Sequence, residues 1–135
     1  MIEKFMERIA TDLHLEGSLA LQDQPGSYHF PVDESLDVNI KELHPGLLFE
    51  CQFYRVPKHN REQFFRRLLL ANLFGAGTDW GVLGITKDEN YLTLHFYLDE
   101  VPDFNEFDQI LEDMLNAAEY WRDETKSIIS STEFA

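Results

Sequence analysis

The sequence predicts an α+β fold in which helices pack on one twisted antiparallel sheet, in the order α-β-β-β-α-β-β-α. Three observations lead to this prediction. Apolar residues recur every three or four positions in three segments, which is typical of helices. In the segments between them, apolar and polar residues alternate, which is typical of half-buried strands. The 135 residues suit a single domain, residues 1–135, because no linker or internal repeat separates the segments.

The first predicted helix lies at the start of the chain, and Gly17 follows it as the predicted stop. Charged residues occur in every turn of this segment, so it lacks the apolar stretch of a secretory signal. Its apolar residues fall on one face of the helix: Ile2, Phe5, Met6, Ile9 and Leu13.

Three strands are predicted between residues 19 and 56, centred near Phe30, Val38 and Phe49. Pro31 cannot donate to a hydrogen-bond ladder, so its strand is expected at an edge of the sheet. Turn sequences separate the strands: Gln24-Pro25-Gly26, Asp33-Glu34-Ser35 and His44-Pro45-Gly46.

The middle helix is predicted from about Asn60 to Phe74, with Asn60 as its N-cap and Gln63 completing a capping box. Its apolar arc is too broad for a single core contact, which indicates burial on two faces. In so short a chain, the second face is expected to meet another copy of the same molecule. The arc contains Phe64, Phe65, Leu68, Leu69, Leu70, Ala71, Leu73 and Phe74.

The remaining elements are a hairpin and a long helix. Residues 82–86 and 91–98 predict two strands around the turn Asp88-Glu89-Asn90. The last helix is predicted from about Asn105 to Lys126, and residues 127–135 are expected to fray because they show no period.

The net charge of −14, from 11 basic and 25 acidic residues, argues against nucleic acid and anionic membranes as partners. No stretch of apolar residues is long enough to predict membrane insertion. The single cysteine, Cys51, excludes an internal disulfide and a four-cysteine zinc site. These features predict a soluble, acidic, single-domain intracellular protein.

No motif for catalysis, a cofactor or a metal stands out. The five histidines lie in separate segments without metal-site spacing. The glycines between Gly75 and Gly84 follow a helix and lack the Lys-Ser/Thr pair of a phosphate-binding loop. Cys51 occupies one of the apolar positions in the alternating pattern of its strand and is interpreted as a core residue. A small enzyme using paired carboxylates is the alternative, and it would need two acids in one deep pocket.

Several apolar residues are predicted to face away from the core. Three of them occupy strand positions that alternate with the core positions, namely Leu48, Tyr54 and Pro31. On the first helix, Phe5 lies beside Ile2. Exposed apolar patches usually indicate a protein partner. The alternative is that another layer of the same domain covers them.

Residues 72–85 resemble the central signature of class I type III secretion chaperones, the Tir-chaperone (CesT/SycE-like) family. In that signature an Asn closes the middle helix, a Gly and a Thr follow, and two more Gly lead into a strand. Residues 116–122 are similar to the terminal helix of the family, which carries an Ala-x-x-Trp segment. The matching signature positions are Asn72, Gly75, Thr78, Gly81 and Gly84.

The resemblance implies a homodimer without catalytic activity or cofactor, located in the cytoplasm of bacteria that have a type III secretion apparatus. It would bind a segment near the N-terminus of a secreted effector and keep it soluble and export-competent, and the apparatus is a further expected partner. A regulatory protein of the same fold, which sequesters a secretion-linked transcription regulator, is the alternative.

The two expected interfaces have separate residue sets. The acidic net charge is expected to favour basic effector segments. An effector strand added to a sheet edge and apolar side chains placed in grooves are the expected binding modes. The predicted dimer contacts are Phe65, Leu68, Leu69, Leu73 and Trp80, and the predicted effector contacts are Ile2, Phe5, Pro31, Leu48 and Tyr54.

Overall fold

A computed structural model describes residues 2–12, 14, 21–33, 35–73 and 80–133. For residues 131–133 it describes the backbone alone. Several sequence expectations lie outside these residues, namely those on Leu13, Gly17, Glu34, Phe74, Gly75 and Thr78. The elements of the described part are α1 (Glu3–Asp12), β1 (Gln22–Gln24), β2 (Ser27–Pro31), β3 (Asp37–Glu42), β4 (Leu47–Arg55), α2 (Arg61–Asn72), β5 (Val82–Ile85), β6 (Tyr91–Leu98) and α3 (Phe104–Glu133).

The predicted α+β class is confirmed, and the structure adds one short strand to the predicted order. β1 consists of Gln22, Asp23 and Gln24, which carry no apolar side chain and therefore no alternating signal. It forms through backbone pairing with β2, where Gln22 lies opposite Tyr28. Polar strands of this kind cannot be recognised from hydrophobic periodicity.

The described strands form one antiparallel sheet in the order β1-β2-β3-β4-β6-β5. The expectation that the strand of Pro31 is an edge is wrong, because β1 lies outside β2. The pairing of β1 ends near Tyr28, with one further bond from the His29 N–H to the Leu21 carbonyl at 2.7 Å. Pro31 therefore lies beyond the described part of β1, where its missing N–H costs no ladder bond.

The hydrophobic core lies between one face of the sheet and the helices. Phe107 of α3 packs against Phe49 of β4 and Phe5 of α1, with ring centroids 5.3 and 5.1 Å apart. From α2, Phe64 and Leu68 join the same core. Burying each such large apolar side chain stabilises the fold by about 1.5–3 kcal/mol.

The start of α2 differs from the prediction. Asn60 occupies the N-cap position, but its backbone is left-handed (φ 54°) and its side chain makes no capping hydrogen bond. A capping side chain needs an extended backbone at that position to reach the first free N–H groups. The Asn60 carbonyl still accepts the first helical bond, from the Phe64 N–H at 3.1 Å.

The expectation that residues 127–135 fray is wrong for residues 127–133, which continue α3. Trp121, Thr125 and Ile129 are buried at four-residue intervals, so the inward stripe of the helix extends past Lys126. The Thr125 hydroxyl donates to the Trp121 carbonyl at 2.6 Å, which satisfies it within the helix. This polar residue in the stripe concealed the periodicity.

Candidate functional site

Several apolar side chains at the end of α2 and around the start of β5 are exposed, and we name this group the α2–β5 patch. Leu69 exposes 70% of its surface, Leu73 56% and Trp80 81%. Large apolar residues exposed together on a strongly charged protein indicate an interface. The full patch is Leu69, Leu70, Leu73, Trp80 and Val82.

Asn72 joins α2 to β5 through two hydrogen bonds to one residue. Its Nδ2 donates to the Leu83 carbonyl at 2.9 Å, and its Oδ1 accepts from the Leu83 N–H at 2.7 Å. β5 is an edge strand, and the amide of Asn72 therefore takes the place of a neighbouring strand at Leu83. The sequence places Asn72 in a signature but does not reveal this role.

The predicted dimer residues fall into two groups. Leu69, Leu73 and Trp80 lie on the α2–β5 patch, and Phe65 is half-buried at its border. Leu68 is a correction, because it is only 6% exposed and belongs to the core of its own subunit. The helical period identifies an apolar arc but does not tell which side of it faces the sheet. Two further members of the patch, Leu70 and Val82, were missing from the prediction.

Trp80 has an unusual backbone as well as an exposed side chain. Its φ of 71° lies in the left-handed region, which bulky side chains rarely adopt. Gly81 follows it, and a Cβ there would approach the Phe96 ring to 2.8 Å. The chain therefore enters β5 by a close approach that only glycine permits, and the indole of Trp80 is directed outward.

Pro31 and Tyr54, two predicted effector contacts, lie together in a groove of about 550 Å³. We name it the Pro31–Tyr54 groove. It runs beside the ends of β2, β3 and β4, and Tyr91 of β6 completes it. Its lining residues are Pro31, Asp33, Ser35, Leu36, Asp37, Gln52, Tyr54, Arg55 and Tyr91.

The other three predicted effector contacts lie elsewhere. Leu48 is half-buried on the outer face of the sheet, opposite Tyr97. Phe5 is half-buried against the rings of α3. Ile2 is a correction, because it is fully buried and its N–H donates to Glu42 Oε1 at 2.8 Å. This long-range contact draws Ile2 into the core and removes it from the surface.

Charged pairs fix the acidic wall of the groove. Arg122 of α3 donates to Asp33 Oδ2 at 2.9 Å, and His29 lies 2.9 Å from Asp37 Oδ1. A hydrogen bond from the Ser35 N–H lowers the pKa of Asp33, burial opposes this shift, and Arg122 lowers the pKa further. These carboxylates are therefore already partnered within the subunit.

Across the outer face of the sheet, Glu50 of β4 and His95 of β6 lie directly opposite one another. Their side chains approach to 3.3 Å. The hydrogen bond from His95 lowers the pKa of Glu50, against the effect of burial. This pair stabilises the two central strands and lies away from the groove.

The chemistry of the described residues gives no support to a metal or nucleophilic site. Among the described residues, no group of three His, Cys, Asp or Glu side chains could hold a metal ion. Burial raises the pKa of the Cys51 thiol to about 12, so the thiolate needed for nucleophilic attack does not form near neutral pH. In the described ranges, no helix is long and apolar enough to cross a membrane.

Comparison with known protein families decides between the remaining interpretations. The family model of the Tir chaperone protein (CesT) family matches residues 4–122. The chain belongs to this family. Membership confirms the predicted function, a chaperone of type III secretion that binds a secreted effector. It does not favour the regulatory alternative.

Individual relatives of the chaperone are distant in sequence but similar in length. The Chlamydia pneumoniae protein CPj0713/CpB0740 is 23% identical over 123 residues, which are 90% of this chain and 93% of that protein. A chain of the ExsC–ExsE complex superposes with a TM-score of 0.76 at 18% identity, covering 92% of both chains. A chain of the HopA1–SchA chaperone–effector complex gives 0.65 at 15% identity, covering 89% of this chain and 91% of that one. Both structures confirm the fold.

Proposed function

We propose that this single-domain chaperone dimerises through the α2–β5 patch and holds an N-terminal segment of a secreted effector in the Pro31–Tyr54 groove. It acts in the cytoplasm and without catalysis. The observation that carries the proposal is the α2–β5 patch itself, because a subunit alone leaves it in water.

The composition of the patch supports pairing between identical copies. A dimer with twofold symmetry needs one self-complementary surface, and exposed leucines together with an indole can provide it without matched charges. Burying each of Leu69, Leu73 and Trp80 would contribute about 1.5–3 kcal/mol before the cost of association. Trp80 supports the same assignment. Its backbone is left-handed, and its indole is exposed and packs little against the core of its own subunit.

The groove offers two aromatic side chains, Tyr54 and Tyr91, among the residues that line its volume of about 550 Å³. Tyrosine is a favourable anchor because it combines a large apolar ring with a hydroxyl that tolerates water. The similar HopA1–SchA structure is a chaperone–effector complex, which supports effector binding by this fold.

Strand addition is proposed at the β1 side of the sheet. At the opposite edge, the Asn72 amide occupies the backbone groups of Leu83. β1 presents the backbone of Gln22–Gln24 with polar side chains, and main-chain pairing there is tolerant of the sequence that is added.

Light scattering tests the dimer. We expect the mass of two subunits at micromolar concentration, and a folded monomer would contradict the proposal. Effector binding is tested by capture from the native host with the wild type, Tyr54→Asp and the matched control Tyr120→Asp, which changes an exposed tyrosine on α3.

The expected result of the capture experiment is a secreted protein that binds the wild type and Tyr120→Asp but not Tyr54→Asp. Deleting the N-terminal segment of that protein should abolish its capture. Equal capture by all three chaperones would exclude the groove as the binding site.

A further inference from the structure

Basic residues are concentrated from the end of β4 into α2, although the protein as a whole is acidic. Residues 55–67 contain five of the 11 lysines and arginines of the chain but a single acidic residue, Glu62. The chain as a whole carries a net charge of −14. We name the three basic residues at the start of this stretch, Arg55, Lys58 and Arg61, the basic corner.

The basic corner surrounds a depression of about 280 Å³. Its floor includes the buried residues Val56 and Pro57. The Val56 N–H donates to the Asn90 carbonyl at 2.9 Å, which holds the β5–β6 turn against the corner. Glu89, on that turn, is the one carboxylate that lines the depression among the described residues.

Two cations of the corner, Lys58 and Arg61, have spare capacity for an anion. Within the described part of the chain, neither Lys58 nor Arg61 forms an ion pair. The Arg61 guanidinium lies 5.4 Å from the ring centroid of Phe65, and that of Arg55 lies 5.7 Å from that of Tyr54. Lys126 Nζ approaches the same Tyr54 ring to 5.7 Å, so positive charge extends into the adjoining groove.

The corner lies in the middle of a longer trough. It shares Arg55 and Tyr91 with the Pro31–Tyr54 groove. On the other side it shares Arg61 and Glu89 with a depression of about 520 Å³ beside Phe65 and Leu69. An extended segment that leaves the groove toward the α2–β5 patch therefore crosses the corner.

We propose that the effector segment carries an acidic residue that binds at the basic corner, next to the apolar residues that occupy the Pro31–Tyr54 groove. This inference rests on the proposed function and names a feature of the client sequence. An Asp or Glu at that point meets the cations of Lys58 and Arg61, whereas Glu89 is the one carboxylate among the described lining residues, so a basic residue is disfavoured. The acidic residue fixes the register of the segment, because a shift along the trough would bring it toward Asp33 and Asp37 on one side or Glu62 on the other.

A random peptide library panned against three proteins tests the inference. They are the wild type, the double variant Lys58→Glu/Arg61→Glu, and the control Lys4→Glu/Lys41→Glu, which changes the net charge equally at exposed sites outside the trough. We expect the wild type and the control to select peptides with an Asp or Glu next to apolar residues. The corner variant should lose these peptides and select Lys or Arg instead.

Affinity measurements on one selected peptide make the test quantitative. Replacing its acidic residue by Ala should weaken binding to the wild type about tenfold and leave binding to the corner variant unchanged. Peptides of the same composition from all three proteins would overturn the inference and leave the proposed function intact. Peptides that bind equally well to Tyr54→Asp would contradict the groove assignment, and therefore the proposed function, instead.

Discussion

Cys51 lies on the inner face of β4 between Phe49 and Phe53, and this position decides what its thiol can do. All three side chains are fully buried. The apolar surroundings favour the neutral thiol, which explains the raised pKa. The residue therefore acts as a small core side chain, as its position in the alternating pattern of β4 predicts.

We predict that Cys51 of the native protein does not react with a chromogenic disulfide reagent at mildly alkaline pH, and that it reacts completely after unfolding in denaturant. Burial blocks access, and the high pKa removes the thiolate. The control is Ser127→Cys in a Cys51→Ala background, because position 127 is exposed. Native labelling of Cys51 as fast as that of the control would contradict the structure.

Asp33 and Glu50 link stability to pH. Each has a folded-state pKa below its ordinary value, so each stabilises the fold when ionised. This stabilisation is fully present above the unfolded-state pKa and is lost as the pH falls through the folded-state pKa. We predict that the free energy of unfolding decreases between about pH 5 and pH 3.

Urea unfolding followed by tryptophan fluorescence measures this dependence. Asp33→Asn should make the free energy of unfolding depend less steeply on pH, because Asn cannot form the ion pair with Arg122. Asp108→Asn, at an exposed position on α3, is the control. Equal slopes for the wild type and Asp33→Asn would exclude Asp33 as a source of the pH dependence.

At the scale of the element, α2 and β5 act as one unit because a single amide joins them. Asn72 ends α2, and its two bonds to Leu83 align the exposed side chains before and after these residues. The α2–β5 patch therefore depends on a polar residue that does not belong to it.

We predict that Asn72→Asp lowers the free energy of unfolding by about 1–3 kcal/mol, because the carboxylate loses the donor and faces the Leu83 carbonyl. Urea unfolding measures the change. Asn116→Asp, an equivalent substitution at an exposed position of α3, should have little effect. A similar effect of both substitutions would show that the two bonds to Leu83 contribute nothing specific.

For the whole molecule, periodicity is sufficient to predict the α+β class, the middle and last helices and most of the sheet. Alternation in β4 also predicts the outward direction of Leu48. It does not predict the bulge after Gln52, beyond which Tyr54 lies opposite the buried Leu92 and packs against the core. The sequence does not reveal β1, because its pairing uses only the backbone. It also misassigns Ile2 and Leu68, because the depth of a side chain on a broad apolar face depends on contacts far away in the chain.

We predict that Leu69→Asp halves the mass measured by light scattering without changing the far-UV circular dichroism. Leu69 is exposed in the subunit, so the substitution leaves the fold intact, but an unpaired charge inside an interface costs several kcal/mol. Val32→Asp, at an exposed apolar residue away from the patch, should keep the wild-type mass. An unchanged mass for Leu69→Asp would remove α2 from the interface.

The bonds between Asn72 and Leu83 also limit how these molecules can assemble. Head-to-tail growth of a sheet requires each molecule to offer a free strand at both ends, so that every newcomer can be joined by the next. β5 has only four residues, and the amide covers one in its middle. If the cargo adds a strand at the β1 edge, as we propose, the covered β5 edge would keep the loaded molecules from linking into fibrils at high concentration.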